Sequence, residues 1–106
     1  EAALSCIKRN YEGKKLVFGD FDKRTLSAAS NLINLYNVLE VSEHDVVSEK
    51  IARKSLEGWE KLMEHGEIDV MQGKTEISKC AEQLVQILRK VGDIEEMERV
   101  ICWYKL

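Results

Sequence analysis

Acid–base catalysis near neutral pH usually needs a histidine, and this sequence contains only two, His44 and His65. His44 stands between Glu43 and Asp45 at a predicted helix start, which is typical of a solvated surface side chain. His65 comes just before a predicted helix end, where an imidazolium interacts favourably with the last carbonyl groups. Neither histidine has a cysteine near it in the sequence. We therefore predict that the chain is not an enzyme.

Possible ligands for a metal ion or a phosphate group are also few. Glu43, His44, Asp45 and Glu49 lie about one helical turn apart, but no second cluster converges on them. Residues 73–75 read Gly-Lys-Thr, yet they lack the upstream glycine that a phosphate-binding loop requires. We predict no metal and no cofactor.

The three cysteines, Cys6, Cys80 and Cys102, are an odd number and lack the paired spacing of a zinc site or a redox motif. Each of them stands among apolar neighbours in a helical pattern. This pattern predicts three small buried side chains that stay reduced in an intracellular compartment.

The charge balance argues against a general affinity for polyanions. Sixteen lysines and arginines against nineteen acids give a net charge of -3, which offers no global attraction to nucleic acid or to anionic lipid. The charges are unevenly distributed, since residues 1–24 carry six bases and four acids, whereas residues 40–69 carry four bases and nine acids. The sequence therefore predicts an acidic third helix and a locally basic segment near the amino end.

This basic segment mixes cations with aromatic rings, as a site for nucleic acid or for an acidic peptide would need. The same composition arises when two phenylalanines anchor a connecting segment in the core while the lysines stay in water. The residue types leave both interpretations open. The residues concerned are Lys14, Lys15, Lys23 and Arg24 with Phe18 and Phe21.

Two tryptophans and one glycine carry further information about packing. Trp59 follows the apolar spacing of Leu56 and Met63, which predicts a core position. Trp103 lies at the edge of the last apolar face, where it either closes the core or forms an exposed anchor. Gly58 falls inside a predicted helix, which indicates close approach of another helix or the floor of a groove.

The elements that position these residues begin with two helices. Apolar spacing predicts a short helix over residues 2–10 that stops at Gly13, and a central helix from about residue 22 to residue 40. Residues 14–19 hold only three consecutive apolar side chains, which is too short for a separate helix. We expect them to form a short extended connector.

Three more helices follow. The third begins with Ser42 and the acid Asp45 three residues later, a pair suited to capping a helix start. A fourth helix ends at Gly92, and Asp93 begins the fifth, which runs to the end of the sequence. Residues 64–73 form a linker, and three apolar residues predict that it docks on the bundle: Ile68, Val70 and Met71.

Together these patterns predict an all-α protein, a compact bundle of about five helices built as stacked antiparallel helix hairpins with one short extended connector. We expect residues 1–106 to be a single helical domain taken from a longer protein. The longest stretch without a charge, residues 25–39, is too short and too polar to cross a bilayer, so no membrane partner is predicted.

Three motifs stand within residues 68–106: Thr-Glu-Ile-Ser-Lys at 75–79, Leu-Arg-Lys at 88–90, and an apolar segment with a tryptophan at 100–106. This part of the chain resembles the closing half of the helical domain at the amino end of transcription elongation factors and several of their partners. It departs from that family where Ser78 replaces a glycine and Arg99 replaces a leucine. The interval between the first two motifs is also about one turn too long.

The resemblance implies a five-helix module that binds short disordered motifs of nuclear proteins through the turns between helices. In this chain the implied surface includes Lys90, Val91 and Ile94, and the family's packing implies a core position for Trp103. The implied setting is intracellular, nuclear and related to transcription elongation.

We therefore predict a non-enzymatic protein–protein interaction domain that binds a short peptide motif or helix at the turns or in a groove between helices. Two alternatives stay open: nucleic-acid binding through the basic patch of Lys14, Lys15, Lys23 and Arg24, and formation of a homo-oligomer. The candidate partner-binding residues are Phe18, Phe21, Lys90, Val91 and Ile94.

Overall fold

The computed structural model describes residues 2–39 and 42–106, apart from the side chain of residue 42, and every regular element in these ranges is helical. A single turn of 3-10 helix, Ser42–His44, comes directly before the third α-helix. The predicted all-α bundle of about five helices is confirmed. The helices are α1 (Ala2–Phe18), α2 (Lys23–Leu39), α3 (Asp45–Glu64), α4 (Val70–Val91) and α5 (Ile94–Tyr104).

The helices stack in two layers. Each helix packs on the next one in the chain, and α2 also packs on α4. Helices α1, α3 and α5 therefore form one layer, and α2 with α4 forms the other. The Cα atoms extend over 36 × 35 × 16 Å, and the short dimension fits two layers whose axes are about 10 Å apart. The chain thus forms stacked antiparallel helix hairpins, as predicted.

The core lies between the two layers. Ile33 of α2, Ala52 of α3 and Ile87 of α4 are completely buried, and Trp59 is buried as predicted. Burial of each large apolar side chain contributes about 1.5–3 kcal/mol. In the ranges that the structure describes, none of the helices combines the length and the apolarity needed to cross a membrane.

Helices α2 and α3 approach each other closely at Gly58. A Cβ atom on Gly58 would lie 2.8 Å from Cδ2 of Leu26 and 3.0 Å from Cδ1 of Phe21. The structure confirms the close helix packing that this glycine indicated.

The predicted extended connector at residues 14–19 is wrong, because α1 continues through Gly13 as far as Phe18. Gly19 has a left-handed φ of 90°, and its N–H donates to the carbonyl oxygen of Lys15 at 2.9 Å, so this glycine ends the helix. A glycine inside a helix costs only about 1 kcal/mol relative to alanine. Contacts made after Gly13 favour this continuation, since Lys15 pairs with Asp20 and the Phe18 ring stacks on Arg24.

Helix α4 begins earlier than the sequence indicated. The carboxylate of Asp69 accepts a hydrogen bond from the backbone N–H of Gln72 at 2.7 Å, so the helix starts at Val70. Ile68 is buried as predicted, whereas Val70 and Met71 are exposed on the first turn, which corrects their predicted docking. The predicted linker therefore shortens to residues 65–69.

The other helix ends follow local signals. Gly92 adopts a left-handed φ of 80° after α4, and the carboxylate of Asp93 accepts from the N–H of Glu96 at 3.2 Å, which confirms both predicted boundaries. Helix α3 starts at Asp45, and its N-cap residue His44 makes no side-chain cap hydrogen bond. The predicted cap by the Ser42 side chain, like the predicted end of α2 at residue 40, lies outside the described residues.

Candidate functional site

A groove runs between α1 and α3 over the surface of α2. Helices α1 and α3 both pack on α2 but make little contact with each other, so the space between them stays open. We call this space, of about 570 Å³, the α1–α3 groove. Its lining residues are Lys8, Tyr11, Glu12 and Lys15 of α1, Leu32 and Tyr36 of α2, and Val47, Lys50, Ile51, Arg53 and Lys54 of α3.

The floor of the α1–α3 groove is apolar. Leu32 and Tyr36 of α2 and Tyr11 of α1 are buried there, and Ile51 of α3 is partly buried. Val47 stands at the edge of the floor with 44% of its surface exposed. Apolar side chains of another molecule could therefore displace water from Val47 and from the exposed part of Ile51, and such loss of water from apolar surface is the main source of binding free energy in such sites.

Burial also sets the state of the Tyr11 hydroxyl. Desolvation raises the pKa of Tyr11, and the carboxylates of Asp20 and Glu12 raise it further. The phenol therefore stays protonated under physiological conditions and keeps the groove floor uncharged.

The walls of the α1–α3 groove are basic. Five cations line it against the single carboxylate of Glu12. Some of these cations already have partners, since Asp20 lies 3.9 Å from the ammonium of Lys15 and 3.2 Å from that of Lys54. Among the described residues, no carboxylate lies within 4.0 Å of the ammonium groups of Lys8 or Lys50. The groove is thus locally positive in a chain whose net charge is -3.

Arg53 has a different environment from the lysines. Its guanidinium donates to Glu49 at 3.0 Å and to Glu96 of α5 at 3.4 Å. Arg53 therefore connects α3 with α5 within one layer, and its charge is largely compensated inside the protein.

The predicted partner-binding residues separate into two groups. Phe18 and Phe21 lie at the turn between α1 and α2, whereas Val91 and Ile94 lie at the turn between α4 and α5 and are each 48% exposed. The ammonium of Lys90 donates to the carbonyl oxygen of Asn37 near the carboxyl end of α2, 2.9 Å away. Because α2 is about 24 Å long, the two groups stand at its opposite ends and do not form one patch.

The two phenylalanines mainly hold the first turn in place. The guanidinium carbon of Arg24 stacks 3.6 Å from the centre of the Phe18 ring, and the ammonium of Lys61 lies 4.4 Å from the centre of the Phe21 ring. Phe21 is also packed over Gly58. These cation–π contacts leave the ring faces with partners inside the protein.

The basic patch predicted near the amino end is partly neutralised. Arg24 donates to the carboxylate of Asp22 at 2.9 Å, and this hydrogen bond lowers the pKa of Asp22 to about 2. Lys15 faces Asp20 and belongs to the α1–α3 groove. Among the described residues, Lys14 and Lys23 form no ion pair within 4.0 Å.

Two of the three cysteines differ from the prediction. Cys80 is buried, and burial raises the pKa of its thiol to about 12. Cys6 and Cys102 are exposed, so their predicted burial is wrong. These two cysteines lie on α1 and α5, the outer helices of their layer, whose far sides face water.

The family resemblance implied a core position for Trp103, and this is wrong, because the side chain is 77% exposed. Like Cys102, it lies on the side of α5 that faces water. Its neighbour Tyr104 turns inward, and the Tyr104 hydroxyl donates to Glu60 at 3.1 Å. Burial raises the pKa of Tyr104 to about 12, and Glu60 adds to this effect.

The two candidate histidines, His44 and His65, lie at opposite ends of α3. The ring of His44 packs against Tyr36 with 4.6 Å between the ring centres, and the backbone N–H of His65 donates to the carbonyl oxygen of Lys61. In residues 2–39 and 42–106, no three histidine, cysteine or acidic side chains come together as a metal site.

No family model, no curated protein and no solved structure gave a significant match to this chain. The resemblance of residues 68–106 to transcription elongation factor domains therefore stays a prediction.

The sequence reasoning did not identify the α1–α3 groove, although a local signal for each wall is present. On α1, residues 8, 11, 12 and 15 follow a helical spacing that mixes two lysines with one tyrosine. On α3, residues 47, 50, 51 and 54 repeat that spacing with two lysines and two β-branched apolar residues. The α3 pattern predicts a helix face that is apolar along its centre and basic at its edges, whereas the α1 pattern places Glu12 beside Tyr11 between its two lysines.

Proposed function

We propose that this chain is a non-enzymatic protein interaction domain that binds a short segment of another protein in the α1–α3 groove. The observation that carries this proposal is the open space of about 570 Å³ between two helices that barely touch, with Val47 and Ile51 as its accessible apolar side chains. Grooves of this size with an apolar floor and polar rims are where proteins commonly hold peptide segments.

The groove supports this function better than the two turns predicted from the sequence. At the first turn, the rings of Phe18 and Phe21 already contact cations of the same chain. At the second turn, Val91 and Ile94 are exposed, and the neighbouring ammonium of Lys90 already donates to the carbonyl oxygen of Asn37. The groove instead offers a concave space of about 570 Å³ with apolar side chains at its base, and the ammonium groups of Lys8 and Lys50 on its walls have no carboxylate within 4.0 Å among the described residues.

Nucleic-acid binding through the basic patch has weaker support. Lys15 and Arg24 each face a carboxylate within 4.0 Å, which leaves fewer free cations for phosphate groups. The proposed nuclear, transcription-related setting rests on the resemblance of residues 68–106, and the groove adds nothing to it. Imaging of the tagged full-length protein in cells tests that setting, and exclusion from the nucleus would contradict it.

The test of the proposed function compares two neighbouring valines of α3. Val47 lines the α1–α3 groove, whereas Val46 is exposed outside it. Peptides of about 12 residues are selected from a random displayed library on the immobilised chain, and their affinities are measured by fluorescence anisotropy. We expect Val47→Glu to weaken a selected peptide at least about tenfold and Val46→Glu to change it less than about twofold.

Both valines are exposed enough for a glutamate to be tolerated, so circular dichroism of the two variants should match the original chain. A selection that yields no binding peptide overturns the proposal. Peptides that are weakened equally by both substitutions, or by Val91→Glu instead of Val47→Glu, also overturn it, because their binding site is then elsewhere.

A further inference from the structure

The walls of the α1–α3 groove point to the chemistry of its occupant. Resting on the function proposed above, we propose that the groove binds an acidic amphipathic helix of a partner protein. The inference combines an apolar floor, basic walls and a length that matches two helical turns. Each of these three features constrains a different property of the occupant.

The charge of the walls requires an acidic partner. Of the five cations that line the groove, Lys15, Arg53 and Lys54 already contact carboxylates, whereas the ammonium groups of Lys8 and Lys50 have none within 4.0 Å in the described structure. A carboxylate brought to either lysine gains an ion pair without breaking an existing one. Basic or neutral segments gain no such contact, and basic segments are repelled, so the walls discriminate by charge.

The ion pairs of Asp20 also leave positive charge at one end of the groove, which favours an acidic occupant. Asp20 is shared between Lys15 and Lys54, so one carboxylate balances two cations at that end of the groove. Lys8 stands on α1 one helical turn before Glu12 and two turns before Lys15, whereas Lys50 stands on α3 across the floor. Acidic side chains on both sides of an occupant would therefore find cations on both walls.

The geometry of the groove favours a helix over an extended peptide. The lining residues on α1 and on α3 each span about 10 Å, which equals two turns of helix and accommodates apolar anchors at i, i+3 or i+4, and i+7. The walls are helices whose backbone groups are bonded internally, so they offer no open edge to an extended chain. A helix satisfies its own backbone groups and needs only side-chain contacts.

Three synthetic probe peptides of about 14 residues test this inference. They share leucines at the anchor positions and differ elsewhere, where one carries glutamates, one glutamines and one lysines. We expect the acidic peptide to bind at least about tenfold tighter than the neutral one at an ionic strength of about 0.05 M, and the basic peptide to be weakest. The advantage of the acidic peptide should shrink at about 0.5 M salt, because the charged contacts are exposed.

Two double variants with the same net charge locate the effect. Lys8→Glu with Lys50→Glu reverses two groove cations that have no carboxylate partner among the described residues, whereas Lys74→Glu with Lys79→Glu makes the same change on exposed positions of α4. We expect the first pair to weaken the acidic peptide by about tenfold or more and the second pair by less than about twofold. Equal losses in both double variants overturn the inference, because net charge alone then explains binding.

The remaining outcomes separate this inference from the proposed function. Equal affinity for the three probes, with the loss on Val47→Glu retained, keeps the peptide groove and overturns the acidic occupant. The acidic occupant is also overturned, and the peptide groove kept, if none of the three probes binds while a library peptide binds in a way that depends on Val47. A short DNA duplex serves as a further probe, and if it binds through Lys8 and Lys50 more tightly than the acidic peptide, the inference is overturned in favour of nucleic acid.

Discussion

Two glycines in helix interiors should respond in opposite directions to the same substitution. Gly13 of α1 and Gly58 of α3 both keep an ordinary helical φ. A Cβ atom on Gly13 would have no neighbour within 4 Å, whereas one on Gly58 would lie 2.8 Å from Cδ2 of Leu26. Alanine at either position gains about 1 kcal/mol of helix propensity. Only at Gly58 does it also force a buried leucine to move.

The steric cost at Gly58 can be estimated from the contacts that the new methyl group would make. Leu26 is only 2% exposed, and its two terminal carbons and one carbon of the Phe21 ring all lie within 3.0 Å of the new atom. Overpacking of this kind costs about 1–3 kcal/mol. We therefore expect Gly13→Ala to stabilise the fold by up to about 1 kcal/mol and Gly58→Ala to destabilise it by up to about 2 kcal/mol.

The assay is urea unfolding of both variants, followed by circular dichroism and by the fluorescence of the buried Trp59. Because the propensity gain is common to both, the difference between the two free energies of unfolding equals the steric cost alone. With an m-value of about 1 kcal/mol per M, the two unfolding midpoints should differ by about 1–3 M. A Gly58→Ala variant as stable as Gly13→Ala would refute the close packing of α2 on α3. A destabilising Gly13→Ala would refute the continuous helix α1.

Three further predictions concern single side chains. The carboxyl group of Asp22 should titrate with a pKa of about 2 in an NMR titration, and Arg24→Ala should raise that pKa only part of the way to its usual range, because the backbone N–H of residue 24 still donates to Asp22 at 2.9 Å. Because the folded pKa lies below the unfolded one, the stabilising contribution of Asp22 is present above about pH 4 and is lost as the pH falls towards 2. The Cys80 thiol, with a pKa of about 12, should react with a thiol reagent only after unfolding, whereas the two exposed cysteines should react at once in the folded protein. Replacement of Trp103 by alanine should change the free energy of unfolding by less than about 0.5 kcal/mol, while the same change at Trp59 should cost about 3–5 kcal/mol in urea unfolding.

Helix ends that depend on a local signal were predictable from the sequence. Gly92 and Asp93 set a helix end and a helix start through their own backbone and side chain, and the structure confirms both. The end of α1 was not predictable in this way, because Gly13 and Gly19 are both compatible with a helix stop. The two glycines differ in backbone conformation, because Gly19 is left-handed and Gly13 is not, and no residue pattern within the segment contains that difference.

The α1–α3 groove was harder to predict because its residues come from three helices. The acidic average of residues 40–69 concealed the cations at positions 50, 53 and 54, which lie on one face of α3. Periodicity within each helix could have predicted that face. Which two faces oppose each other depends on how α1 and α3 pack on α2, and no pattern within a single segment contains that information.

The exposure of Trp103 on α5 likewise depends on packing between helices, which the pattern within one helix does not contain. The apolar spacing of α5 leaves a tryptophan at the edge of its inward face, and the next residue, Tyr104, takes the inward position through its hydrogen bond to Glu60. One residue along a helix corresponds to a rotation of about 100°, so a small difference in packing decides which aromatic ring is buried.

The central claim, that the α1–α3 groove is the binding surface, is tested most directly by mapping where a bound peptide perturbs the backbone. Amide spectra of the isotope-labelled chain are recorded while the selected or acidic peptide is added. We expect the largest shifts on residues 8–15 of α1 and 47–54 of α3. Shifts centred on residues 90–94 at the turn between α4 and α5, with α1 and the first half of α3 unchanged, would contradict it.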